Sequence, residues 1–214
     1  MMKRIILIVI AAVIAISPVH AQSRREVKAA KKEAKLATKQ LKSDGFKLLE
    51  LGDLRLQLEN FLIKAKTGNK QIIGTADDCI SINLGKTIAL NNALVEYANL
   101  SGGIVKGRIT SDASNVNGQQ ADNLVAAYER LVLKEIKGEV QTYVTLIREE
   151  KKTFDVRVYC LVDFDSAHAA KMKAMEQALE ELDLSQQYGS KTAEWSEKAG
   201  NNPLSDCLRQ TIVP

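Results

Sequence analysis

The chain has 214 residues, of which 45% are hydrophobic and 26% are charged, and its net charge at pH 7 is +4. An obligate nucleic-acid binder usually carries a strongly basic domain, so this near balance of charge argues against that class of protein. Aromatic residues make up only 5% of the chain, which leaves few stacking surfaces for bases or sugars.

The N-terminal segment has the organisation of a secretory signal peptide. Lys3 and Arg4 precede an apolar run over residues 5–16, and small or medium side chains lead to a cleavage point before Gln22. The run is shorter than the roughly 20 residues that a membrane-spanning helix needs. We therefore predict a signal peptide over residues 1–21 and a periplasmic or secreted mature protein, with an uncleaved membrane anchor as the alternative.

A basic helix is predicted over residues 23–43. One side carries apolar residues at helical spacing, namely Val27, Ala30, Ala34, Ala37 and Leu41. The other sides carry the basic residues Arg24, Arg25, Lys28, Lys31, Lys32, Lys35, Lys39 and Lys42. A stripe built mainly of alanine buries little area, so this helix is expected to dock weakly or to pair with a partner. Its charge indicates attraction to an anionic surface such as lipid headgroups or envelope polymers, and a solvated helix leading into the domain is the alternative.

A helical N-terminal extension is predicted over residues 22–70, followed by an α+β domain over residues 71–185. Within the extension, residues 46–51 form a short extended stretch and residues 53–66 form a second amphipathic helix. The domain opens with an extended segment over residues 71–82, which is rich in β-branched residues.

A helix that is apolar on most sides is predicted over residues 84–100, and such a helix belongs in the interior of a protein. The sequence Ser101-Gly102-Gly103 is expected to end this helix. A strand is then predicted over residues 104–110, and a polar loop over residues 111–123.

An amphipathic helix closed by Gly138 and two paired strands are predicted next. The strands cover residues 139–149 and 153–164 and are joined by a charged turn. The second strand alternates between Phe154, Val156, Val158, Cys160, Val162 and Phe164 on one side and Asp155, Arg157, Tyr159 and Asp163 on the other. This period of two predicts an antiparallel sheet with one buried and one wetter face, and it places Cys160 in the core.

The last predicted helix is capped by Ser166 and carries alanine, Met175 and Leu182 on one side. Residues 186–214 mix glycine, asparagine, serine and proline with Trp195, and we expect a loosely attached tail there. The order of the elements predicts an α+β fold, in which helices pack on one face of a small antiparallel or mixed sheet.

Three cysteines, Cys79, Cys160 and Cys207, lie beyond the predicted signal peptide. An oxidising compartment permits a disulfide, but an odd number leaves at least one cysteine unpaired within the chain. Their wide spacing, without a Cys-x-x-Cys motif, does not indicate zinc or a redox dithiol. The sequence leaves their pairing open.

Residues that carry chemistry are few once the signal peptide is removed. His168 is then the one histidine, and it lies in the first turn of a predicted helix, close to Asp163 and Asp165. Two carboxylates and an imidazole can hold a metal ion, but capping alone also favours acidic residues at a helix start. Asp77 and Asp78 form a second pair of carboxylates, within a predicted strand. A β-bulge, or an inward side chain that is hydrogen-bonded, explains two adjacent acidic residues there without a catalytic role. No catalytic residue, metal or cofactor is assigned.

A family resemblance rests on residues between 71 and 164. They are Gly74, the run from Gly85 to Ala93, Ala98, Gly102-Gly103, Gly107, Gly138 and the strand ending at Tyr159. In this layout the chain resembles the small envelope lipoproteins whose domain also forms the N-terminal part of the flagellar T-ring protein. The resemblance covers somewhat under half of the chain. The resemblance implies an envelope structural or interaction module without catalytic residues. The chain departs from that family in lacking a lipidation cysteine and in carrying the basic helix and the long tail.

These features predict a secreted, non-enzymatic α+β module whose partner is an envelope protein or an anionic envelope surface. The alternative is a periplasmic enzyme or small-ligand binder that uses Asp163, Asp165 and His168, or the Asp77–Asp78 pair. A pocket lined by convergent polar groups favours the alternative, whereas a filled core under a flat polar surface favours the module. The sequence leaves the oligomeric state open.

Overall fold

The computed structural model describes residues 24–112 and 118–197. The helices are α1 (Arg24–Ser43), α2 (Leu54–Lys66), α3 (Ile82–Asp112), α4 (Gly118–Ile136), α5 (Phe164–Glu181), α6 (Ser185–Tyr188) and α7 (Thr192–Glu197), with a short 3-10 turn at Gly189–Lys191. The strands are β1 (Lys47–Leu48), β2 (Asn69–Cys79), β3 (Gln141–Glu150) and β4 (Thr153–Asp163). The predicted signal peptide, its cleavage point, Cys207 and the tail beyond residue 197 lie outside the described residues.

The four strands form one antiparallel sheet in the order β1-β3-β4-β2. β3 and β4 are a hairpin, and β2 lies along the other edge of β4, where Ile72 pairs with Cys160 and Gly74 with Val158. β1 is very short and pairs with the middle of β3. The predicted α+β class and its antiparallel sheet are therefore confirmed.

The first hydrophobic core lies between one face of the sheet and helices α3, α4 and α5. Val156, Val158 and Cys160 alternate along β4 and are at most 1% exposed, which confirms the predicted burial of Cys160. Cys79 belongs to the same core, and both of these thiols are free. The two buried cysteines therefore pack as small apolar side chains rather than as a disulfide.

A second hydrophobic core lies on the opposite face of the sheet, under α1 and α2. Phe61 of α2 packs edge-on against Tyr159 of β4, with ring centroids 5.4 Å apart. Ala30 and Ala34 of α1 belong to this core and are 0% exposed. The predicted N-terminal extension is thus a layer of the fold, and helices cover the second face of the sheet as well as the first. The small alanines let α1 approach α2 closely, and both Ala30 and Ala34 are fully buried in this packing.

The predicted end of a helix at Gly102-Gly103 and the predicted strand over residues 104–110 are wrong. α3 runs without interruption to Asp112, and its residues Val105 and Ile109 are fully buried at helical spacing. The side chain of Glu129 on α4 occupies the space that a Cβ of Gly102 would need. Packing of α3 against α4 and the core therefore outweighs the low helix propensity of paired glycines and β-branched residues.

The polar loop predicted over residues 111–123 is shorter in the structure. α3 continues through Asp112, and α4 begins at Gly118. Asp122, in the first turns of α4, pairs with Lys106 of α3 at 2.7 Å. Residues 118–123 are polar because they form the start of a helix that faces solvent. A loop has the same polar composition, so composition alone does not distinguish the two.

The first part of the predicted tail is packed against the domain. Trp195 of α7 is 0% exposed, and its ring centroid lies 5.6 Å from that of Tyr188. Arg108 of α3 donates a hydrogen bond to the carbonyl oxygen of Glu194 at 2.5 Å. One large aromatic anchor therefore holds a segment whose polar composition predicts loose attachment.

Small residues of the predicted domain lie where α3 and the sheet pack closely against each other. Gly74 of β2 lies beneath α3, and the carbonyl oxygen of Ala89 occupies the space that a Cβ of residue 74 would need. Ala89 and Ala93 are both 0% exposed and complete this contact. Gly85, near the start of α3, approaches Val156 in the same way. Several residues that carry the family resemblance therefore set the distance between α3 and the sheet.

Candidate functional site

Helix α1 has a buried side and a charged side. Its buried side, which includes Ala30, Ala34 and Leu41, packs into the second core. Its basic residues are all exposed, and we term them the basic face: Arg24, Arg25, Lys28, Lys31, Lys32, Lys35, Lys39 and Lys42. Five of these follow one another at spacings of three and four residues, from Lys28 to Lys42, and so form one row along the helix.

Acidic neighbours neutralise little of the basic face. Lys31 pairs with Glu59 of α2 at 3.2 Å, and no other member of the basic face has an ion-pair partner among the described residues. Glu33, an acidic residue of α1, is bound by Lys66 of α2 at 2.8 Å. With eight basic and two acidic residues, α1 carries a net charge of +6. Among residues 24–112 and 118–197, the other seven cations of this helix have no ion-pair partner.

The acidic cluster considered as a metal site is a helix cap. α5 begins at Phe164, so its N-cap is Asp163 and not the predicted Ser166. The Asp163 carboxylate accepts hydrogen bonds from the backbone N–H groups of Asp165 and Ser166 at 3.1 and 3.0 Å. This bonding satisfies donors that a helix start leaves unpaired. His168 does not join these carboxylates in a metal site, because no suitable group of three His, Cys, Asp or Glu occurs in the described residues.

Asp77 and Asp78 lie at a β-bulge, which is one of the two explanations that the sequence offers. The register of β2 against β4 shifts between Ala76 and Cys79, and Asp78 has a φ of 54°. Both side chains are exposed. The backbone N–H of Asp78 donates a hydrogen bond to Oδ1 of Asp155 at 2.9 Å. Strand geometry therefore accounts for this pair without a catalytic role.

The sequence does not predict the ion pair beside this bulge, which joins the buried Asp155 to Arg148, whose side chain is 33% exposed. Asp155 is 4% exposed, although the alternation of β4 predicts that it lies on the wetter face. Its Oδ2 accepts a hydrogen bond from Nε of Arg148 at 2.8 Å. The backbone N–H of Asp78, and then the Arg148 guanidinium, hold the pKa of the Asp155 carboxyl below its ordinary value. The pair ties the β3–β4 hairpin to the bulge of β2.

A buried lysine lies between α5, α3 and β2. Lys171 is 5% exposed, and its Nζ lies 5.0 Å from the centre of the Tyr97 ring. Burial, and to a lesser degree the charge of Lys70, lowers the pKa of Lys171 from 10.5 to about 8. A lysine with a lowered pKa is a typical base or nucleophile, but it must also reach a substrate. Because the core encloses Lys171 and keeps its amine away from any substrate, we do not assign it a catalytic role.

Comparison of the chain with protein-family models, with curated proteins and with solved structures finds no match. Across residues 24–112 and 118–197, no helix is both long and apolar enough to cross a membrane. The candidate site is therefore defined by geometry alone, as a helix that packs on the domain and carries basic residues, most of which have no ion-pair partner in the part of the chain that the structure describes.

Proposed function

We propose that this protein is a non-enzymatic binding module of the cell envelope, which attaches through the basic face of α1 to an anionic polymer or membrane surface. The observation that supports this proposal is the exposure of eight basic side chains on one helix that is docked on the domain. Lipid headgroups and envelope polymers share the relevant chemistry, since both present repeated anionic groups.

The packing of α1 on the domain fixes the side of the molecule on which its lysines lie. Ala30, Ala34 and Leu41 are at most 4% exposed and fasten the helix to the second core. The row from Lys28 to Lys42 extends about 21 Å along the helix axis, given a rise of about 1.5 Å per residue. This length accommodates several phosphate or carboxylate groups at once, so we expect multivalent binding that weakens with salt.

The distribution of charge along the chain supports the same assignment. The whole chain has a net charge of +4, of which Lys3 and Arg4 supply +2 and the basic helix +6, so residues 44–214 carry −4. A negatively charged surface that attracts α1 repels the rest of the protein. The basic face therefore determines how the molecule is oriented on that surface.

The alternative function, an enzyme or small-ligand binder, depends on carboxylates that have structural roles here. Asp163 caps α5, and Asp77 and Asp78 lie at the bulge of β2. The resemblance to envelope lipoproteins implies a structural or interaction module, in agreement with the charge distribution. We therefore propose the binding module and not the enzyme.

The proposed location is tested by the start of the exported chain. Because the apolar run of the signal segment is short, we expect cleavage before Gln22. The intact mass of protein recovered from the periplasm or the medium should correspond to a chain without residues 1–21. Recovery of only the full-length chain, in the membrane fraction, would instead support the uncleaved anchor.

Replacement of the five-lysine row by glutamine is expected to remove most of the binding to anionic surfaces. The variant changes Lys28, Lys32, Lys35, Lys39 and Lys42, all of which are exposed. Because glutamine is about as good a helix former as lysine, the fold should be retained. Cosedimentation with phosphatidylglycerol vesicles measures binding to lipid, and a soluble glycerol phosphate polymer tested in parallel distinguishes a polymer from a membrane.

A matched variant removes the same charge elsewhere on the molecule. It replaces the exposed residues Lys47, Lys134, Lys137, Lys151 and Lys152 by glutamine, and it should keep most of the binding. Equal losses in the two variants would show that net charge, and not the basic face, is responsible. Equal binding by the original protein and both variants at low salt would refute attachment through α1.

A further inference from the structure

The side of α1 that faces away from the domain carries a leucine as well as cations. Leu36 is 56% exposed and lies midway between Ala34 and Thr38, which are both buried. Because an α-helix turns by about 100° per residue, a position two residues from each of two buried ones lies on the far side of the helix. Leu36 is therefore part of the surface that the basic face presents to its surroundings.

Cations and apolar residues alternate along this surface. At spacings of four and three residues we find Arg25, Ala29, Lys32, Leu36 and Lys39, all of them exposed, and we term these five the outer strip. They span about 80° of the helix circumference, so one flat surface can contact them together. Lys32 and Lys39, which also belong to the five-lysine row, lie one helical turn before and one turn after Leu36.

A soluble polymer and a lipid bilayer differ in how well they fit the outer strip. A polyanion in water gains nothing from Ala29 and Leu36, and a uniform row of lysines would bind it better. A bilayer has anionic headgroups at its surface and acyl chains directly beneath them, so it accepts cations and an apolar side chain from the same helix face. Lysine side chains are long enough to keep their amines among the headgroups while a leucine beside them reaches deeper.

We propose that the anionic surface is a lipid bilayer, and that α1 lies along it with the side chain of Leu36 inserted at the boundary between headgroups and acyl chains. Lys32 and Lys39 then bind lipid phosphates on either side of Leu36, and the small Ala29 lets the helix approach the headgroups closely. This inference rests on the proposed function, because it names the surface that the basic face binds.

The packing of α1 on the domain limits the depth of insertion. A free amphipathic helix sinks its apolar side into the bilayer, but the apolar side of α1, with Ala30, Ala34 and Leu41, is buried in the second core. The outer strip faces the membrane instead, so insertion is shallow and involves chiefly Leu36. Charge then supplies most of the affinity, and Leu36 supplies a smaller part that salt does not screen.

A fluorescent label at residue 36 tests the insertion. In the exported protein with Cys207→Ser, the Leu36→Cys variant carries the environment-sensitive fluorophore NBD, and the buried Cys79 and Cys160 should not react. On addition of vesicles made of equal parts of phosphatidylglycerol and phosphatidylcholine, the emission should shift to the blue, and lipids with a quencher on the acyl chain should quench it.

The matched control carries the same label on the other side of the molecule. Val95→Cys places it at an exposed apolar position of α3, a helix that covers the first core on the opposite face of the sheet. Its emission should not change when vesicles are added. Equal blue shifts at residues 36 and 95 would show general adsorption of the protein and overturn the proposed orientation.

The Leu36→Gln variant separates the apolar contribution from the charge. Glutamine leaves the charge of α1 unchanged and is a good helix former, so the fold should be retained. The affinity for the same vesicles should fall about fivefold at physiological salt, the factor expected when the exposed part of one leucine no longer leaves water. The affinity for a soluble glycerol phosphate polymer should stay unchanged, and Leu36→Met should bind vesicles like the original protein.

The outcomes separate this inference from the proposed function. A label at residue 36 that stays in water, together with undiminished vesicle binding by Leu36→Gln, would overturn the insertion, even if the five-lysine variant loses its binding and the attachment through charge stands. Binding to the polymer but not to vesicles would likewise overturn the choice of a bilayer and keep the proposed function. Vesicle binding that survives the loss of the five lysines would refute both.

Discussion

Replacing Gly74 by alanine is expected to lower the free energy of unfolding by about 3 kcal/mol or more, at the upper end of the usual range for overpacked cores. The added Cβ would overlap the carbonyl oxygen of Ala89 and lie 2.8 Å from the Cβ of Ala93. Neither obstacle is the flexible end of a side chain, so α3 as a whole would have to move away from β2. That movement would open the first core along the length of the helix.

Urea unfolding, followed by circular dichroism, measures this effect. Gly118→Ala is the control, because nothing lies within 4 Å of the position of its Cβ at the start of α4. That change should be neutral or stabilising by up to about 1 kcal/mol, since alanine is the better helix former. If Gly74→Ala were as stable as the original protein, α3 would not lie against β2 as closely as described.

The position of Gly74 illustrates which parts of this fold the sequence predicts. β3 and β4 are predicted to within two residues at each end, because apolar side chains in β4 alternate with a period of two and a charged turn separates the strands. The same alternation identifies the burial of Cys160. Sequence pattern also marks Gly74 as a small residue in a strand, but it does not identify the α3 carbonyl group that requires it.

Tertiary packing explains the parts of the fold that the sequence does not predict. The local preference of Gly102 and Gly103 predicts the end of a helix. In the structure the side chain of Glu129 on α4 packs into the space beside Gly102, and this contact between α3 and α4 favours a continuous helix. The alanine stripe of α1 predicts weak docking or a partner, and the sequence does not show that α2 packs against it, with Leu58 and Phe61 in the same core. Long-range contacts of this kind are absent from any local pattern.

The candidate site was predictable to a similar extent. Helical periodicity separates the buried alanines of α1 from its basic residues, and the structure shows all eight basic residues exposed. The Asp155–Arg148 pair was missed because β4 alternation predicts a solvent-facing carboxylate. A signal was nevertheless present, since the hairpin register places Arg148 directly opposite Asp155, and opposite charges at such positions attract.

Replacing Lys171 by methionine is expected to raise the free energy of unfolding at pH 7 by about 3–4 kcal/mol. Burial, with the nearby Lys70, lowers the pKa of Lys171 to about 8 in the folded protein, against 10.5 for an ordinary lysine. Each unit of this difference corresponds to about 1.4 kcal/mol, so holding the charged amine in the core is unfavourable by that order. Methionine matches the aliphatic part of the side chain and carries no charge to desolvate.

The sign of the pH dependence follows from the same pKa values. Below pH 8 the amine is charged in both the folded and the unfolded chain, so the full penalty is present and constant. Between pH 8 and 10.5 the folded protein releases the proton while the unfolded chain keeps it, so the original protein gains stability relative to the variant. The advantage of methionine should therefore shrink as pH rises through this range.

Paired denaturation curves of the original protein and the Lys171→Met variant, from pH 6 to pH 11, isolate this contribution. The difference between the two curves removes the titration of groups that are remote from Lys171 and that both proteins share. Lys173→Met on the same helix is the control, because Lys173 is 58% exposed and its surface ion pair with Glu135 should contribute about 1 kcal/mol or less at any of these pH values. A constant difference between the original protein and Lys171→Met across this range would mean that Lys171 keeps an ordinary pKa and reaches water. In that event α5 would not enclose it against Tyr97.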